Sequence, residues 1–149
     1  MDDLQLQRLT EELSLQFFHK RFVDTAEFNS RLRTVGGRYI PSTRTIEINK
    51  KYYDEIGYDE LVGIIKHELC HYHLHIEGKP FNHGSKEFKD LLKKTGSPRF
   101  CKILPSENKK RLTYICQDCG TKYMRKRRIQ TNKYRCGKCN GKILLKNAT

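Results

Sequence analysis

Four of the six cysteines stand in two Cys-x-x-Cys pairs within a short stretch of the 149-residue chain. Cys116 and Cys119 form the first pair, and Cys136 and Cys139 form the second after 16 intervening residues. Two pairs at this interval are typical of four thiolates that hold one zinc ion. Because so small a segment buries little apolar surface, its folding depends on the metal. The sequence therefore predicts a four-cysteine zinc ribbon with a structural Zn2+.

Disulfide bonds between the same cysteines are the alternative, and they form only in an oxidising compartment. The first residues, Met1-Asp2-Asp3-Leu4, lack the charged-then-apolar pattern of a secretory signal. No stretch of the sequence approaches the roughly 18 apolar residues that a membrane-spanning helix needs. We therefore expect a cytoplasmic protein with no membrane partner, and zinc rather than disulfides at the four cysteines.

The positive charge of the chain is concentrated around these cysteines. Residues 107–149 carry 13 Lys and Arg against 2 Asp and Glu, whereas residues 1–106 carry 17 against 15. We place the domain boundary at this change of composition, so the first domain spans residues 1–106 and the ribbon spans residues 107–149. The asymmetry favours a polyanionic partner for the ribbon, and a solvated basic tail is the alternative.

A run of five cations and one tyrosine lies between the two cysteine pairs. Cations interleaved with an aromatic ring suit a phosphate backbone with an occasional stacked base. Since no base-reading helix is visible, we expect salt-sensitive nucleic-acid binding with weak sequence selectivity, and an acidic protein surface is the competing partner. The candidate nucleic-acid-binding residues are Lys122, Tyr123, Arg125, Lys126, Arg127 and Arg128.

Hydrophobic periodicity in residues 1–106 predicts three helices and one hairpin. Apolar residues recur at helical spacing in each helix, and β-branched and aromatic residues fill the two strands. Asp2 or Asp3 suits the start of the first helix, and Ser85 suits the start of the third. The predicted helices span residues 3–22, residues 58 or 59 to about 76, and residues 85–94, and the predicted strands span residues 33–40 and 44–49.

The second predicted helix contains the string His67-Glu68-Leu69-Cys70-His71. Two histidines at i and i+4 project from one helix face at a separation suited to a single tetrahedral metal. Glu68 lies beside such a metal without coordinating it, where a general base takes a proton from the activated water. We expect His67 and His71 to bind zinc and Glu68 to be catalytic, with structural histidines on a core face as the alternative.

A catalytic zinc usually takes three protein ligands, which leaves the third ligand to be found. His75 continues the helical stripe, but it lies about 12 Å from His67 along the axis at 1.5 Å per residue. A glycine- and proline-containing connection lets the chain return, and His83 stands at its end. We favour His83, and histidine ligation favours zinc over manganese. The other candidates are His73, Glu77 and Glu87.

These motifs in this order resemble the SprT-like metalloprotease domain, a family that includes the Spartan proteases and short bacterial proteins. His67-Glu68-Leu69-Cys70-His71 is followed twelve residues later by His83-Gly84-x-x-x-Phe88. The segments 36–39 and 45–49 resemble the two strands of the family, and the ribbon is similar to one that bacterial members carry. The resemblance implies an α+β fold, with a zincin-like core of helices packed on a small β-sheet followed by a zinc ribbon. It also implies His67, His71 and His83 as zinc ligands and Glu68 as the catalytic residue.

We therefore expect a zinc-dependent metalloprotease that is brought to nucleic acid or to an acidic partner by its ribbon. The alternative is a non-catalytic nucleic-acid-binding or regulatory protein on a metalloprotease-like scaffold, although a scaffold has no need for the carboxylate of Glu68. Zinc-dependent hydrolysis of a non-peptide substrate uses the same chemistry. Proteases commonly hold an extended substrate at an exposed sheet edge, and residues 44–49 are the candidate edge, with an ordinary strand as the alternative.

Overall fold

Two stretches of the computed structural model, Met1–Leu104 and Pro105–Thr149, fold as separate units. The structure describes residues 1–109, 112–125 and 127–147. None of the described helices is long and apolar enough to cross a membrane. The first unit contains α1 (Asp3–Leu13), β1 (Thr25–Phe28), β2 (Gly37–Ile40), β3 (Thr45–Ile48), α2 (Lys50–Glu55), α3 (Tyr58–Ile76) and α4 (Lys86–Thr95). The second contains α5 (Pro105–Lys109), β4 (Leu112–Cys116), β5 (Lys122–Arg125) and β6 (Ile143–Asn147).

Helix α1 begins at a capping box, which confirms Asp2 as the cap. The Asp2 side chain accepts a hydrogen bond from the Gln5 amide at 2.8 Å, and the Gln5 side chain accepts one from the Asp2 amide at 2.9 Å. The helix is shorter than the predicted span of residues 3–22, because it continues as one π-helical turn over Ser14–Phe18 and then stops. His19 ends the turn in a left-handed conformation with φ +58°, and the Ser14 hydroxyl donates to the Lys20 carbonyl at 2.5 Å just beyond it.

The sheet of the first unit has the strand order β1-β3-β2. Strands β2 and β3 are antiparallel, which confirms the predicted hairpin, although β2 begins at Gly37 rather than at residue 33. Strand β1 pairs in parallel with β3 and was not predicted, because four residues paired with a distant segment carry little periodic signal. The expectation that residues 44–49 form a sheet edge is wrong, since β3 lies between the other two strands.

The central position of β3 also explains why both of its faces are buried. Ile46 and Ile48 are fully buried, and Glu47 on the opposite face is only 8% exposed. Glu47 remains tolerable there because it forms an ion pair with Arg38 and accepts a hydrogen bond from Asn29 Nδ2 at 2.9 Å. The exposed edge on this side of the sheet is therefore β2.

Helix α3 confirms the predicted span from residue 58 to residue 76. Its apolar face is completely buried at Leu61, Ile65, Leu69 and Tyr72, and it contacts both β2 and β3. The predicted cap of the next helix is also confirmed, since the Ser85 side chain accepts a hydrogen bond from the Phe88 amide at 3.2 Å. Because the apolar face of α3 is buried, the orientation of the helix is fixed, and so is the set of side chains on its other faces.

The second unit is a three-stranded antiparallel sheet with the order β5-β4-β6. Its core is small and consists of Tyr114, Cys116, Cys136 and Ile143, all at most 3% exposed. So few buried apolar residues cannot stabilise a fold of this length without a metal. The predicted fold class, α+β with helices on a small sheet followed by a ribbon, is confirmed.

Strand β2 approaches α3 so closely at its first residue that a side chain there has no room. A Cβ atom on Gly37 would lie 2.9 Å from Ile64 Cγ2 and 3.0 Å from the Glu47 carbonyl oxygen. Contacts this short force the helix and the strand apart. Gly37 thus sets the distance between the sheet edge and α3.

We expect Gly37→Ala to lower the free energy of unfolding by about 1–3 kcal/mol, as overpacking of a core does. Gly84→Ala is the matched control, because its Cβ would meet only Asn82 Nδ2, at 3.7 Å. Urea unfolding followed by circular dichroism measures both variants. Equal stability of the two variants would show that the strand and the helix are free to move apart.

Candidate metal centre

His67 and His71 lie one turn apart on α3, and each is held by a backbone carbonyl. His67 Nδ1 lies 2.8 Å from the Pro98 carbonyl oxygen, and His71 Nδ1 lies 2.5 Å from that of Phe81. A carbonyl oxygen only accepts hydrogen bonds, so each Nδ1 carries the proton and donates. The Nε2 atom of each ring is therefore left with a free lone pair, which is the form that binds a metal.

His83 completes a cluster of three imidazoles. Its Nε2 atom lies 3.1 Å from Nε2 of His67 and 3.1 Å from Nε2 of His71. The turn that carries His83 also supplies the Phe81 carbonyl, so one segment both orients His71 and delivers the third ring.

The donor set fits a zinc ion. Nε2 of His83 carries at most one proton, so it can donate a hydrogen bond to only one of its two neighbouring Nε2 atoms. The lone pairs of the other two facing nitrogens repel each other unless a cation lies between the rings. Zn–N bonds of about 2.0–2.1 Å in a tetrahedral site place neighbouring nitrogens about 3.3 Å apart. The observed separations are close to that value.

Burial keeps two of these rings neutral. It lowers the pKa of His67 below its ordinary value, and it lowers the pKa of His71 to about 4. Both histidines are therefore unprotonated at neutral pH and offer lone pairs without first losing a proton.

Phe88 of α4 forms one wall of the cluster. It is fully buried and stacks on the His71 ring with centroids 4.2 Å apart and an interplanar angle of 21°. Its ring also meets the edges of His67 and His83, with centroids 5.3 Å and 5.2 Å away. This packing restricts the rotamers of all three imidazoles.

Glu68 lies next to the cluster, and its side chain is mostly buried. It is 6% exposed and lines cavities that His67, His71 and His83 also line. Burial raises the pKa of Glu68 to about 8. No group in the described part of the chain donates a hydrogen bond to its carboxylate. A buried carboxyl without a partner is costly, and such groups mark functional sites more often than structural ones.

The other candidate ligands are engaged elsewhere or point away. His73 Nε2 bonds to Ser14 Oγ at 2.7 Å, and His75 Nδ1 bonds to the Tyr39 hydroxyl at 2.6 Å. Glu77 forms ion pairs with two lysines, and Glu87 is exposed in the first turn of α4. Within the described ranges, the ring nitrogens of His67, His71 and His83 are the only histidine or carboxylate group close enough together to share a metal ion.

Two cavities flank the three histidines and were not anticipated from the sequence. The first has a volume of about 200 Å³ and the second of about 370 Å³. Val35 lines both cavities and the segment 98–101 lines the first, and both reach the site only through tertiary packing. No sequence signal marks the Pro98 and Phe81 carbonyls either, since every residue has a carbonyl.

The four ribbon cysteines come together at a second site. Cys116 Sγ lies 3.4 Å from Cys139 Sγ, and Cys119 Sγ lies 3.6 Å from Cys136 Sγ. A tetrahedral zinc with Zn–S bonds of about 2.3 Å places its sulfurs about 3.8 Å apart, so this donor set also fits zinc. The Tyr123 hydroxyl lies 3.1 Å from Cys136 Sγ and accepts a hydrogen bond from the Gly137 amide.

The predicted nucleic-acid-binding residues do not all face the same way. Lys122 and Arg125 are exposed on β5, and Arg127 and Arg128 are exposed just beyond it. Tyr123 is half-buried. The Arg125 guanidinium lies 5.6 Å from the centroid of the Tyr123 ring, and the Tyr123 hydroxyl lies beside Cys136. Lys126 lies outside the described residues. Tyr134 is 58% exposed and is a stacking candidate that the sequence did not single out.

Comparison with known proteins identifies relatives over nearly the whole chain. The SprT-like family model matches residues 6–113, and the SprT-like zinc ribbon domain model matches residues 110–147. A protein named "Protein SprT-like" from Geobacillus sp. (strain WCH70) is 54% identical and covers 99% of this chain and 97% of its own. A protein of the same name from Oceanobacillus iheyensis is 56% identical and covers 95% of each chain.

Among solved structures, the metallopeptidase zymogen of Pyrococcus abyssi abylysin is similar to this chain with a TM-score of 0.45 and 20% identity. That similarity covers 60% of this chain and 77% of the other, and it is too low to support a functional inference. The family models and the curated relatives are decisive, and they confirm the resemblance seen in the sequence. This chain belongs to the SprT-like family and carries the SprT-like zinc ribbon.

Proposed function

We propose that this protein is a zinc-dependent metallopeptidase with His67, His71 and His83 as metal ligands and Glu68 as general base. The observation that carries the proposal is the convergence of three imidazole Nε2 atoms beside a buried carboxylate. Two of the rings are already fixed in the tautomer that binds a metal. Glu68 follows the first ligand directly on α3, so its carboxylate reaches the same cavity without entering the cluster.

His67, His71 and His83 would hold the zinc ion, which would act as a Lewis acid by polarising the scissile carbonyl and lowering the pKa of water from about 15.7 towards about 7. Glu68 takes a proton from the attacking water while the oxygen of that water bonds to the carbonyl carbon. The same carboxyl then delivers that proton to the leaving nitrogen as the C–N bond breaks. The cycle starts from the carboxylate form of Glu68, which the positive charge of a zinc ion at the three histidines would favour.

The surroundings of Glu68 favour an enzyme over a non-catalytic scaffold. A protein that used this core only as a scaffold would gain nothing from a nearly buried carboxyl without a hydrogen-bond donor. A glutamine or a leucine at this position would stabilise such a scaffold better. The structure therefore bears a cost that catalysis explains.

The substrate chain is best accommodated along β2. This strand is an edge of the sheet, and Gly37, Arg38 and Tyr39 line the second cavity beside His71. An extended peptide that adds to the edge of β2 would run beside the cavity that Glu68 and His71 also line. This assignment replaces residues 44–49, whose strand is central.

We further propose that the ribbon recruits the enzyme to nucleic acid. Lys122, Arg125, Arg127 and Arg128 are all exposed, in a segment that carries 13 basic against 2 acidic residues. Such a surface attracts a phosphate backbone through counterion release and reads little sequence.

Glu68→Gln is expected to reduce proteolysis of casein by roughly 10²- to 10⁴-fold, since the amide cannot accept the proton. The zinc content of the variant stays at the native level because Glu68 is not a ligand. Glu87→Gln is the control, with the same chemical change on an exposed side chain in α4. Full activity of Glu68→Gln would remove Glu68 from catalysis, and equal inactivity of all three proteins would favour the scaffold.

His83→Ala is expected to lower the zinc content from two ions per chain to one, because two remaining imidazoles hold the metal weakly. His75→Ala is the matched control, since His75 lies on α3 and bonds to Tyr39 instead. Elemental analysis of dialysed protein measures both. Two ions retained in His83→Ala would mean that another group is the third ligand.

Replacement of both Arg127 and Arg128 by Ala is expected to weaken DNA binding and to reduce the slope of log K against log salt by about 2. The control replaces Lys89 and Lys93, exposed on α4, and removes the same charge from the first unit. Fluorescence anisotropy between low and moderate salt measures the slope. An equal loss of DNA affinity in both double variants would indicate a response to net charge rather than a binding surface on the ribbon.

A further inference from the structure

We propose that the smaller cavity beside the three histidines is a specificity site for a leucine- or phenylalanine-sized side chain adjacent to the scissile bond. The inference deepens the proposed peptidase function and rests on it. The substrates of this site are protein segments with a bulky apolar residue at the cleavage position. The apolar wall of the cavity is formed by Val35, Ile64, Pro98, Phe100 and Cys101.

The size and lining of this cavity fit a single apolar side chain. Its volume is about 200 Å³, and an apolar cavity of roughly 150 Å³ accepts a benzene-sized group. His67, Glu68 and His83 line the same space, so a side chain in the cavity lies next to the reacting carbonyl. Specificity pockets of enzymes combine such an apolar wall with a few polar groups at the reacting end.

The position of the cavity relative to its neighbour assigns it to one side of the cleaved bond. Both cavities are lined by Val35, Gly37, Glu68 and His83, so they meet at the proposed general base. Each cavity wall contains one cationic side chain, Arg99 in the first and Arg38 in the second. A peptide that crosses Glu68 therefore places side chains from opposite sides of its scissile bond in two separate spaces. The smaller cavity is the one whose size matches a single apolar side chain.

Gly36 packs directly against two side chains of the cavity wall. A Cβ atom on Gly36 would lie 2.6 Å from Cys101 Sγ and 2.9 Å from Ile64 Cδ1. A larger residue at position 36 would displace these two groups and so change the shape of the cavity that they line.

The rim of the cavity is apolar and exposed. Phe100 is 79% exposed and Val35 is 54% exposed. An incoming apolar side chain covers both, and the removal of that surface from water supplies the binding free energy.

The wall formed by residues 98–101 is anchored on both sides. The Pro98 carbonyl accepts the hydrogen bond from His67 Nδ1 at 2.8 Å, and the Lys102 amide donates to Glu60 Oε1 at 2.9 Å. Both partners lie on α3, so the wall is tied to the helix that carries the chemistry. A wall fixed in this way discriminates between side chains more sharply than a mobile loop does.

The test compares peptidyl hydroxamates that differ only in the side chain next to the metal-binding group. We expect the zinc-loaded native protein to bind the leucine form roughly 10- to 100-fold more tightly than the glycine form. Cys101→Asp places a carboxylate in a cavity wall that already contains Arg99 and is expected to remove the preference for leucine. Ile103→Asp is the matched control, two residues along the same segment and half-exposed, and it keeps the native preference.

A second variant tests the specificity site independently in case Cys101→Asp does not fold. Phe100→Ala removes an exposed rim side chain and is expected to weaken only the leucine form, with the affinity for the glycine form unchanged. Equal affinities of the native protein for the leucine and glycine forms would overturn the specificity site. The specificity site is also overturned if Ile103→Asp changes the preference as much as Cys101→Asp does.

Cleavage of a peptide library by the native protein separates this inference from the proposed function. Glu68-dependent cleavage with no apolar preference at either position beside the cut overturns the specificity site and keeps the peptidase. A leucine preference in hydroxamate binding without any cleavage keeps the site and removes the peptidase. Cleavage next to leucine or phenylalanine, lost on Cys101→Asp, supports both.

Discussion

The buried face of α3 is the constraint on which the rest of the first unit depends. Leu61, Ile65, Leu69 and Tyr72 are fully buried, and each large apolar side chain contributes about 1.5–3 kcal/mol when removed from water. Because this face is fixed against β2 and β3, the helix cannot rotate about its axis. His67, Glu68 and His71 are therefore held toward the side on which the cavities lie.

Backbone groups from outside the helix turn this fixed face into a site. The Pro98 and Phe81 carbonyls set the tautomers of His67 and His71, and the turn after Phe81 brings His83 within 3.1 Å of both. Gly36 and Gly37 allow β2 and the loop before it to pass against Ile64, which keeps the cavities narrow. Ligand geometry, sheet edge and cavity wall are thus parts of one packing arrangement around α3.

The two units divide the proposed work between them. The first contains the three-histidine cluster and the buried carboxyl, whereas the second contains the four cysteines and most of the excess positive charge. Among its described residues the ribbon buries four in its core, so a metal at the four cysteines stabilises the fold rather than performing chemistry. Under the proposed function, loss of the ribbon metal affects folding, whereas loss of a metal at the three histidines affects catalysis.

Features that depend on local spacing can be read from the amino-acid sequence. Helical periodicity located α3, the i, i+4 histidines marked its candidate metal site, the Cys-x-x-Cys pairs located the ribbon, and Ser85 located the start of α4. The identity of the edge strand depends on tertiary packing, because β1 pairs with β3 across a long separation in sequence. Tertiary packing also sets which candidate third ligand lies near His67 and His71, the hydrogen bonds from their Nδ1 atoms, and the cavity walls at Val35 and Cys101. Those features arise from contacts between distant segments through backbone atoms and shape, and neither leaves a periodic trace in the sequence.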